Sequence, residues 1–354
     1  MRALDKIPTT IVTGFLGSGK TTLLRHVLGN AGGLRIAVIV NEFGELGIDG
    51  ELLRGCGLGC EEDGEGVIEL ANGCLCCTVQ EEFFPVMREL VARRDRIDHI
   101  LIETSGLALP KPLVQAFQWP EIKSACTVDA VVTVVDGPAV ASGLFAADPQ
   151  AVDAARRADP NLDHQVSLRE LFDDQLSCAD LVIVSKTDLL DDEDRRRLEA
   201  RLAPHLPESV KRVDSAHGQV PLELLLGVGA AAEEGIDQRH THHDAHHEGD
   251  DHHHHAHDHF ASLSLELPPM AVEALEAGVR RILAEQPVYR VKGFAAVPGK
   301  PMRLVLQGVG RRLDRYYDRR WRADEPRITR LVFIGQGLDT ESLRACFPVE
   351  ETIA

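Results

Sequence analysis

The sequence lacks the features of a membrane or exported protein. No apolar run in its 354 residues approaches the length of a membrane-spanning helix. The segment from Met1 to Lys6 has no long apolar stretch and no small-residue cleavage site, so we expect no signal peptide. Eight cysteines in a chain without export signals are more often metal ligands or buried thiols than disulfides. These absences predict a cytoplasmic protein.

Positive charge is also scarce. The chain has 38 Lys and Arg residues against 56 Asp and Glu residues, which gives a net charge of −18. Nucleic acids and anionic membrane surfaces bind basic patches, so we expect neither as a partner. A hydrophobic content of 44% is ordinary for a globular protein, and a chain of this length is long enough for two domains.

Apolar, β-branched runs alternate with helical patterns through the first part of the chain. Strands that are buried on both faces and alternate with helices are typical of a parallel α/β sheet with helices on both faces. The predicted strands cover residues 7–13, 35–40, 67–70, 99–102, 130–135 and 181–184, and the predicted helices cover 20–28 and 81–93. We therefore predict a P-loop NTPase-type α/β domain over residues 1–226.

A histidine-rich segment interrupts this pattern. The stretch from His240 to His259 holds 11 of the 16 histidines among Asp, Glu and Ala residues, and such a composition cannot bury a core. We predict a flexible linker over residues 227–259. Imidazoles and carboxylates together attract divalent cations, so the tract either captures or buffers metal, or is a solvated linker with incidental metal affinity.

The remainder of the chain, residues 260–354, is predicted to be a smaller C-terminal α+β domain. It begins with the strictly alternating run FASLSLEL at 260–267, a pattern typical of a strand with one face in water. A helix over about 270–284, strands around 288–297, 303–308 and 330–334, and a last helix over 340–346 complete the prediction.

A phosphate-binding loop follows the first predicted strand. The run GFLGSGKT from Gly14 to Thr21 fits the pattern GxxxxGK[ST], with a strand before it and a helix after it. Its backbone N–H groups can surround phosphates, Lys20 adds a positive charge at the β and γ oxygens, and the Thr21 hydroxyl can ligate Mg²⁺. The residues assigned to the nucleotide here are Gly14, Gly17, Ser18, Gly19, Lys20, Thr21 and Thr22.

Guanine is the predicted base. Ser185-Lys186-Thr187-Asp188 directly follows an apolar strand, and the Asp188 carboxylate can accept two hydrogen bonds from N1–H and the exocyclic amine of guanine. Adenine lacks that pair of donors, and unmatched polar groups discriminate strongly. The methylene stem of Lys186 can lie over the base. An alternative interpretation is that Asp188 only caps a helix after the strand.

Two acidic loops are the candidate nucleotide switches. Glu103 ends a strand, where it can hold Mg²⁺ directly or through water, and the amide of Gly106 can sense the γ-phosphate. The candidate first switch is the run Asn41–Glu45, directly after the second predicted strand, and Glu42 in it, or Asp49 beyond it, can reach the metal. We assign catalytic roles to Lys20, Glu103 and Gly106. No glutamine that positions water and no arginine finger in cis is evident, so we expect slow intrinsic hydrolysis.

Three cysteines lie between the phosphate loop and Glu103. Cys74, Cys76 and Cys77 form a CxCC motif after a glycine, and thiolates so close in sequence can bind one soft or borderline cation. Cys56 and Cys60 are either further ligands or inert thiols. The order of affinities favours Zn²⁺ or copper over Co²⁺ at thiolates, so the motif alone does not name its metal.

These motifs, in this order, resemble those of the CobW family of P-loop GTPases. The resemblance runs nearly end to end, through TGFLGSGKTTLLRH, IVNEFGELGIDGELLRGCG, IELANGCLCCTV, IETSGLALPKPLVQAF, VVTVVD and RVKGFAAVPGKPMRLVLQGVG. A histidine-rich insertion before the C-terminal domain is also typical of the family. Ser185 departs from the Asn that is common at its position.

The resemblance implies a cytoplasmic GTPase that acts as a metallochaperone. It implies that Cys74, Cys76 and Cys77 bind the cargo metal, that residues 14–22 bind Mg²⁺–GTP, and that Lys186 and Asp188 recognise guanine. Its cobalamin-biosynthesis branch, which the long IETSGLALP segment resembles most, implies delivery of Co²⁺ to a cobaltochelatase. The alternatives are delivery of Zn²⁺ to another metal-receiving protein, and a histidine-rich metal buffer regulated by GTP. A homodimer is one possible state of assembly.

Overall fold

The computed structural model describes residues 6–40, 67–69, 83–158, 167–206, 210–226, 260–310, 312–322 and 325–347. Glu42, the CxCC motif and the histidine-rich tract lie outside these ranges. The chain divides into two compact units, Met1–Leu226 and Gly227–Ala354. Within the described ranges, no helix is long and apolar enough to cross a lipid bilayer.

The first unit contains a seven-stranded sheet in the order β3-β2-β4-β1-β5-β6-β7, and every neighbouring pair is parallel. Its strands are β1 (Ile7–Thr13), β2 (Ile36–Val40), β3 (Val67–Glu69), β4 (His99–Glu103), β5 (Cys126–Asp136), β6 (Leu181–Ser185) and β7 (Lys211–Asp214). The central strands are buried along almost their whole length. This burial explains why they read as unbroken apolar runs, and the predicted parallel α/β class is confirmed.

Helices connect the strands of this sheet. They are α1 (Lys20–Gly29), α2 (Phe84–Ala92), α3 (Pro110–Ala116), α4 (Pro120–Lys123), α5 (Gly137–Ala141), α6 (Pro149–Ala158), α7 (Leu168–Ser177), α8 (Asp192–Leu202) and α9 (Leu222–Leu225). Two apolar clusters are packed between helices and sheet. One joins α2, α3 and α4 to the β2–β4–β1–β5 part of the sheet, and the other joins α7 and α8 to β5 and β6.

Strand β5 is longer than the predicted run of residues 130–135. It begins at Cys126, and its first three residues pair with the start of β1 before the register shifts between Thr9 and Thr10. The polar residues Thr127 and Asp129 interrupt the apolar run at the level of sequence. Pairing with the neighbouring strand, which a single-strand pattern does not show, extends β5 toward its N-terminus.

The second unit contains an antiparallel five-stranded sheet in the order β11-β10-β9-β12-β8. Its elements are β8 (Phe260–Leu267), α10 (Val272–Glu285), β9 (Val288–Ala295), β10 (Met302–Val309), β11 (Arg312–Arg320), β12 (Thr329–Gln336) and α11 (Thr340–Arg344). An apolar cluster packs α10 and α11 against the sheet. The sequence missed β11, because its run RLDRYYDRR is rich in charge and this strand lies at an edge of the sheet.

Candidate functional site

The candidate site lies at the carboxyl edge of the parallel sheet. The strands β1, β4, β5, β6 and β7 all run in one direction, so the loops that follow them leave the sheet at the same edge. Those loops carry the phosphate-loop glycines, Gly106, the Ser185–Asp188 segment and Ser215. Parallel α/β sheets bind ligands in the crevice at this edge.

Gly14 begins the phosphate loop in a conformation that requires glycine. Its φ is 137°, and a Cβ built there would lie 2.2 Å from the carbonyl oxygen of Val134 on β5. The loop therefore packs directly on the neighbouring strand, with backbone against backbone. Gly17 and Gly19 also have positive φ, and Gly19 immediately precedes the first residue of α1. The N–H groups at the start of a helix and its positive dipole end favour a phosphate at this position.

The amine of Lys20 is held inside the loop that it follows. Its Nζ donates hydrogen bonds to the carbonyl oxygens of Gly14, at 2.8 Å, and Phe15, at 3.2 Å, and the residue is buried. A buried ammonium group held by backbone carbonyls is a fixed positive charge in the centre of the loop. Such a charge is positioned to stabilise negative charge on phosphate oxygens.

Thr21 and Glu103 meet where a magnesium ion is expected. The Thr21 hydroxyl donates a hydrogen bond of 3.2 Å to Oε1 of Glu103, which is buried at the end of β4. A hydroxyl and a carboxylate in contact are oxygen ligands of the kind that Mg²⁺ prefers. Thr21 on α1 and Glu103 on β4 therefore form a pair of oxygen ligands that fits a magnesium ion beside the phosphate loop.

Gly106 packs against the phosphate loop. A Cβ at this position would lie 2.6 Å from the backbone nitrogen of Leu16, so the main chains of the two loops are in close contact. The loop around Gly106 is buried from Thr104 to Ala108. From the other side, Nε2 of Gln175 on α7 donates hydrogen bonds to the carbonyl oxygens of Ala108, at 3.0 Å, and Gly106, at 3.4 Å.

Ser185 links the loop after β6, which carries Lys186 and Asp188, to the phosphate loop. Its hydroxyl lies 2.6 Å from the carbonyl oxygen of Ser18 and 3.1 Å from that of Val135, and the residue is buried. A serine hydroxyl has one proton to donate, so the short bond to Ser18 is the stronger of the two. The residue that departs from the family's common Asn thus makes a direct link between the two loops.

Lys186 joins three chain segments. Its Nζ donates to the carbonyl oxygen of Gly17 at 2.8 Å and forms an ion pair of 2.5 Å with Oδ2 of Asp136, whose side chain is 2% exposed. Asp136 also accepts a hydrogen bond from the backbone of Ala139 and so caps α5. The ion pair fixes the direction of the lysine side chain.

An open cavity of about 230 Å³ lies between these loops. Leu23, Val134, Ile183 and Leu189 supply apolar walls, and the polar lining includes Asp188, as expected for a slot that holds a flat base by its edge. The complete lining is Gly19, Thr22, Leu23, Val134, Ile183, Ser185, Lys186, Asp188, Leu189, Ser215, His217 and Gly218.

The loop after β7 closes one side of this cavity. The backbone of Thr187 donates to the carbonyl oxygen of Ser215 at 3.2 Å, and the Ser215 hydroxyl donates to that of Gln219 at 3.0 Å. His217 has a φ of 53°, which is unusual for a residue with a side chain, and its Nε2 lies 3.7 Å from Oδ2 of Asp188. The loop that carries Ser215 and His217 thus lines the cavity.

Three residues of the site were missed by sequence reasoning. Asp136 had a usable signal, because an acid at a strand end followed by Gly and Pro is typical of a helix N-cap. His217 belongs to no motif, and it reaches the site as part of the loop that follows β7. Gln175 had no signal, since it lies inside an amphipathic helix and reaches the site only through the packing of α7 on the sheet.

The strand register places Glu69, the last described residue before the cysteine segment, at the same edge. Val12 on β1 is opposite Glu103, Glu103 is opposite Val40 on β2, and Val40 is opposite Glu69 on β3. Glu69 is thus two strands from Glu103, or roughly 10 Å at the usual spacing of strands. Within the described ranges, no group of three His, Cys, Asp or Glu side chains could hold a metal ion. Glu42, Cys74, Cys76 and Cys77 lie outside these ranges.

Comparisons with known proteins identify the family of both parts of the chain. Residues 8–210 match the nucleotide-binding domain of the CobW/HypB/UreG family, and residues 264–348 match the C-terminal domain of the cobalamin synthesis protein cobW. A relative from Pseudomonas aeruginosa, "Zinc chaperone CobW", is 64% identical over 97% of this chain and 91% of its own. A protein of the same name from Sinorhizobium sp is 50% identical over 96% of both chains.

Other similar proteins are more distant. "Zinc chaperone YjiA" from Escherichia coli is 30% identical over 97% of this chain and 98% of its own. A crystal structure described as Zn(II)-bound YjiA GTPase from E. coli covers 97% of this chain and 98% of its own, with 25% identity and a TM-score of 0.40. Because both family models match and these relatives align with nearly the whole chain, this chain belongs to the CobW family of P-loop GTPases.

Proposed function

We propose that this GTPase is a metallochaperone whose nucleotide state controls its grip on a divalent transition metal. The observation that supports the proposal is the register across β4, β2 and β3, because Glu69, five residues before Cys74, ends β3 at the edge where the phosphate loop lies. The candidate first switch also starts at this edge, directly after Val40. Val40 and Glu69, the last described residues before these two segments, thus end their strands at the edge where the triphosphate would bind.

The nucleotide would be held by the parts already described. The phosphates would lie in the loop from Gly14 to Thr22, with Lys20 as the fixed positive charge, and the guanine edge would meet Asp188. Thr21 and Glu103 would hold Mg²⁺, which supplies positive charge to the phosphate oxygens when it is bound. Glu42 would add a further oxygen ligand from the first switch. The amide of Gly106 would sense the γ-phosphate.

Cys74, Cys76 and Cys77 would bind the cargo. Thiolates bind zinc tightly, and three of them leave one tetrahedral position for water or a receiving protein. Binding of GTP would order the first switch and the cysteine segment, and hydrolysis would relax them and release the metal. A partly open site of this kind is suited to transfer, so we expect the partner to be a metal-receiving protein.

Zn²⁺ is the cargo that we put first. The resemblance to the cobalamin-biosynthesis branch puts Co²⁺ and a cobaltochelatase ahead of Zn²⁺, but the relatives at 64%, 50% and 30% identity are all named zinc chaperones. The affinity order at thiolates favours the same metal. Delivery of Co²⁺ to a cobaltochelatase is the second candidate, supported by the resemblance of the long segments to the cobalamin branch.

The central experiment measures Zn²⁺ affinity in two nucleotide states. With Mg²⁺ present, the affinity is determined by competition with a chromophoric chelator, once with a non-hydrolysable GTP analogue and once with GDP. We expect binding about tenfold or more tighter with the analogue, and Zn²⁺ should tighten analogue binding by the same factor. Equal Zn²⁺ affinities in the two states would end the proposal.

Two variants locate the metal. Cys76→Ala should abolish tight Zn²⁺ binding and leave GDP binding unchanged, whereas Cys178→Ala, at a half-buried cysteine at the end of α7, should change neither. Titration of Co²⁺ against the Zn²⁺-loaded, analogue-bound protein ranks the two cargoes. Displacement of Zn²⁺ by equimolar Co²⁺ would make Co²⁺ the cargo.

The remaining alternative is a metal buffer in which the histidine-rich tract stores the ion. Deletion of residues 240–259 separates the two functions. For a chaperone, the number of tightly bound ions and the nucleotide dependence should survive the deletion. For a buffer, most of the metal capacity should be lost.

A further inference from the structure

We propose that Gln175 is a positioning residue for the γ-phosphate sensor, and that it holds the loop around Gly106 in the conformation that receives a triphosphate. The proposal rests on the assignment of Gly106 as the sensor. Gln175 lies on α7, outside every motif of the sequence, and it is fully buried.

The hydrogen bonds of Gln175 fix the orientation of its amide. Its Nε2 faces the carbonyl oxygens of Ala108 and Gly106, at 3.0 and 3.4 Å. Only the NH₂ side of a carboxamide can donate to two carbonyls, so the amide cannot be turned round without losing both bonds. These bonds join α7 to two peptide units on either side of Leu107, which is itself buried.

The other end of this amide has an energetic cost. Oε1 of Gln175 is buried and accepts no hydrogen bond from the residues that the structure describes. A buried acceptor without a donor destabilises a fold, and an apolar side chain of the same length would avoid that cost. The role of the side chain therefore lies in its two donated bonds, which act on the loop.

The same helix also supports the phosphate loop. Phe172, one turn before Gln175, packs against Phe15 in the phosphate loop, and the centroids of the two rings are 6.0 Å apart. Gly106 in turn touches Leu16, because a Cβ on Gly106 would lie 2.6 Å from the Leu16 nitrogen. Helix α7, the phosphate loop and the sensor loop thus form a closed set of contacts, in which Gln175 is the polar link.

This arrangement preorganises the Gly106 amide. Without the two bonds, the loop samples other conformations, and a triphosphate must order it on binding. GDP has no γ-phosphate for this loop to sense, so its affinity does not depend on the order of the loop. Gln175 therefore acts on the discrimination between triphosphate and diphosphate.

Gln175→Met tests the proposal, because methionine matches the length of the side chain and removes the donors. Thr133→Val is the matched control. The Thr133 hydroxyl on β5 donates a hydrogen bond of 2.9 Å to the backbone carbonyl of Gln175, so it anchors the same turn of α7 to the sheet. Gln175→Leu is a second variant in case the methionine variant fails to fold.

The affinities for GDP and for a non-hydrolysable GTP analogue are measured for each protein. In Gln175→Met, we expect the analogue to bind roughly three- to tenfold more weakly and GDP to bind as in the wild type. In Thr133→Val, the ratio of the two affinities should stay at the wild-type value even if the melting temperature falls. An unchanged ratio in Gln175→Met, tighter analogue binding, or an equal change of the ratio in both variants would overturn the proposal.

Hydrogen exchange of the peptide that covers residues 103–109 separates this proposal from the assignment on which it rests. In the wild type, the analogue should slow exchange relative to GDP, and Gln175→Met should reduce that difference. If the wild-type peptide exchanges equally in both states, Gly106 is not the sensor and the role of Gln175 fails with it. If the analogue slows exchange in the wild type and slows it equally in Gln175→Met, the sensor assignment stands and the role of Gln175 is refuted.

Discussion

Lys186 has a φ of 58° and an ion pair with the buried Asp136. The left-handed backbone costs about 1 kcal/mol for a residue with a side chain. In return, the lysine extends across the end of β6 and reaches the carbonyl oxygen of Gly17. A single side chain thus holds the loop after β6, the phosphate loop and the start of α5 in one arrangement before any nucleotide binds.

Asp188 provides the residue-scale test of base identity. Asp188→Asn replaces a carboxylate oxygen with an NH₂ group, which faces two donors on guanine, so we expect GTP affinity to fall by at least about 100-fold. Xanthosine triphosphate, which carries a carbonyl in place of the guanine amine, should bind the variant better than GTP does. Fluorescence titration measures both affinities. Asp153→Asn, at an exposed carboxylate on α6, is the control.

That prediction has a clear opposite. If Asp188→Asn binds GTP as the wild type does, Asp188 only shapes the loop, as the helix-cap interpretation holds. A uniform loss of affinity for all nucleotides, without a gain for the xanthine base, would instead indicate that the loop has collapsed.

Cys126 should be inert to alkylating reagents. It lies buried at the start of β5, and burial raises the pKa of its thiol from 9.0 to about 12. Because the thiolate is the reactive species, the folded protein should leave Cys126 unmodified by iodoacetamide at pH 8.5, as peptide mass spectrometry can show. In urea the same residue should react fully.

The pH dependence of stability follows from the same shift. The folded protein favours the neutral thiol of Cys126. The contribution of this preference to the free energy of unfolding is therefore complete below pH 9 and is lost as the pH rises toward about 12. Rapid alkylation of Cys126 in the folded state at pH 8.5 would show that the start of β5 opens readily.

At the scale of elements, the sequence predicted the interior of the first sheet well. The predicted strands at 7–13 and 181–184 coincide with Ile7–Thr13 and nearly with Leu181–Ser185, because fully buried strands leave an unbroken apolar run. Elements whose stability comes from packing of a few residues were missed. Helix α8, with the sequence DEDRRRLEARL, contributes only Leu198 and Leu202 as buried residues.

The candidate site also has a part that the sequence predicts and a part that it does not. Its loops could be predicted because phosphate binding requires glycines and a lysine at fixed spacing along the chain. The contacts between loops could not be predicted. The bonds of Ser185 to Ser18 and of Gln175 to Ala108 join residues 167 and 67 positions apart in sequence, and they depend on how strands and helices pack.

Helix α7 supplies an element-scale prediction. Its N-terminus is a capping box in which Glu170 N donates to Ser167 Oγ at 3.1 Å and Ser167 N donates to Oε2 of Glu170 at 2.7 Å. The hydrogen bonds from Ser167 lower the pKa of the Glu170 carboxyl below 4.5. Its stabilisation is therefore present above pH 4.5 and is lost as the pH falls through the lowered pKa.

Urea unfolding of the wild type and of Glu170→Gln, measured at a series of pH values, checks this prediction. The wild type should be the more stable protein at pH 7, and the difference should shrink as the pH falls below 4.5. A difference that grows on acidification would contradict it, since the protonated carboxyl cannot be a better cap than the ionised one.

At the scale of the whole molecule, the two compact units should unfold separately. Each has its own apolar cluster, and GDP should bind only the unit that contains the phosphate loop. Ligand that binds only a folded state raises the temperature at which that state melts. Scanning calorimetry should therefore show two transitions, and Mg²⁺–GDP should raise only one of them.

The second transition can be marked by a variant in the other unit. Arg303 and Asp318 form a buried ion pair between β10 and β11, with side chains that are 5% and 1% exposed. Arg303→Met should leave a buried carboxylate uncompensated and destabilise this unit by roughly 3 kcal/mol. The nucleotide-sensitive transition should not move. A single transition that shifts under both changes would show that the two units unfold as one.

The register that aligns Val12, Glu103, Val40 and Glu69 has a consequence for how this family can diversify. Main-chain hydrogen bonds between strands fix those four positions, and slippage by one residue would turn every core side chain to the wrong face. The distance between Glu103, beside the phosphate loop, and Glu69, just before the cysteine segment, is thus set by the backbone and not by side chains. If the proposed function holds, substitutions among the cysteines would change the preferred metal, while the distance from the nucleotide to the strand end that precedes them would stay constant during evolution.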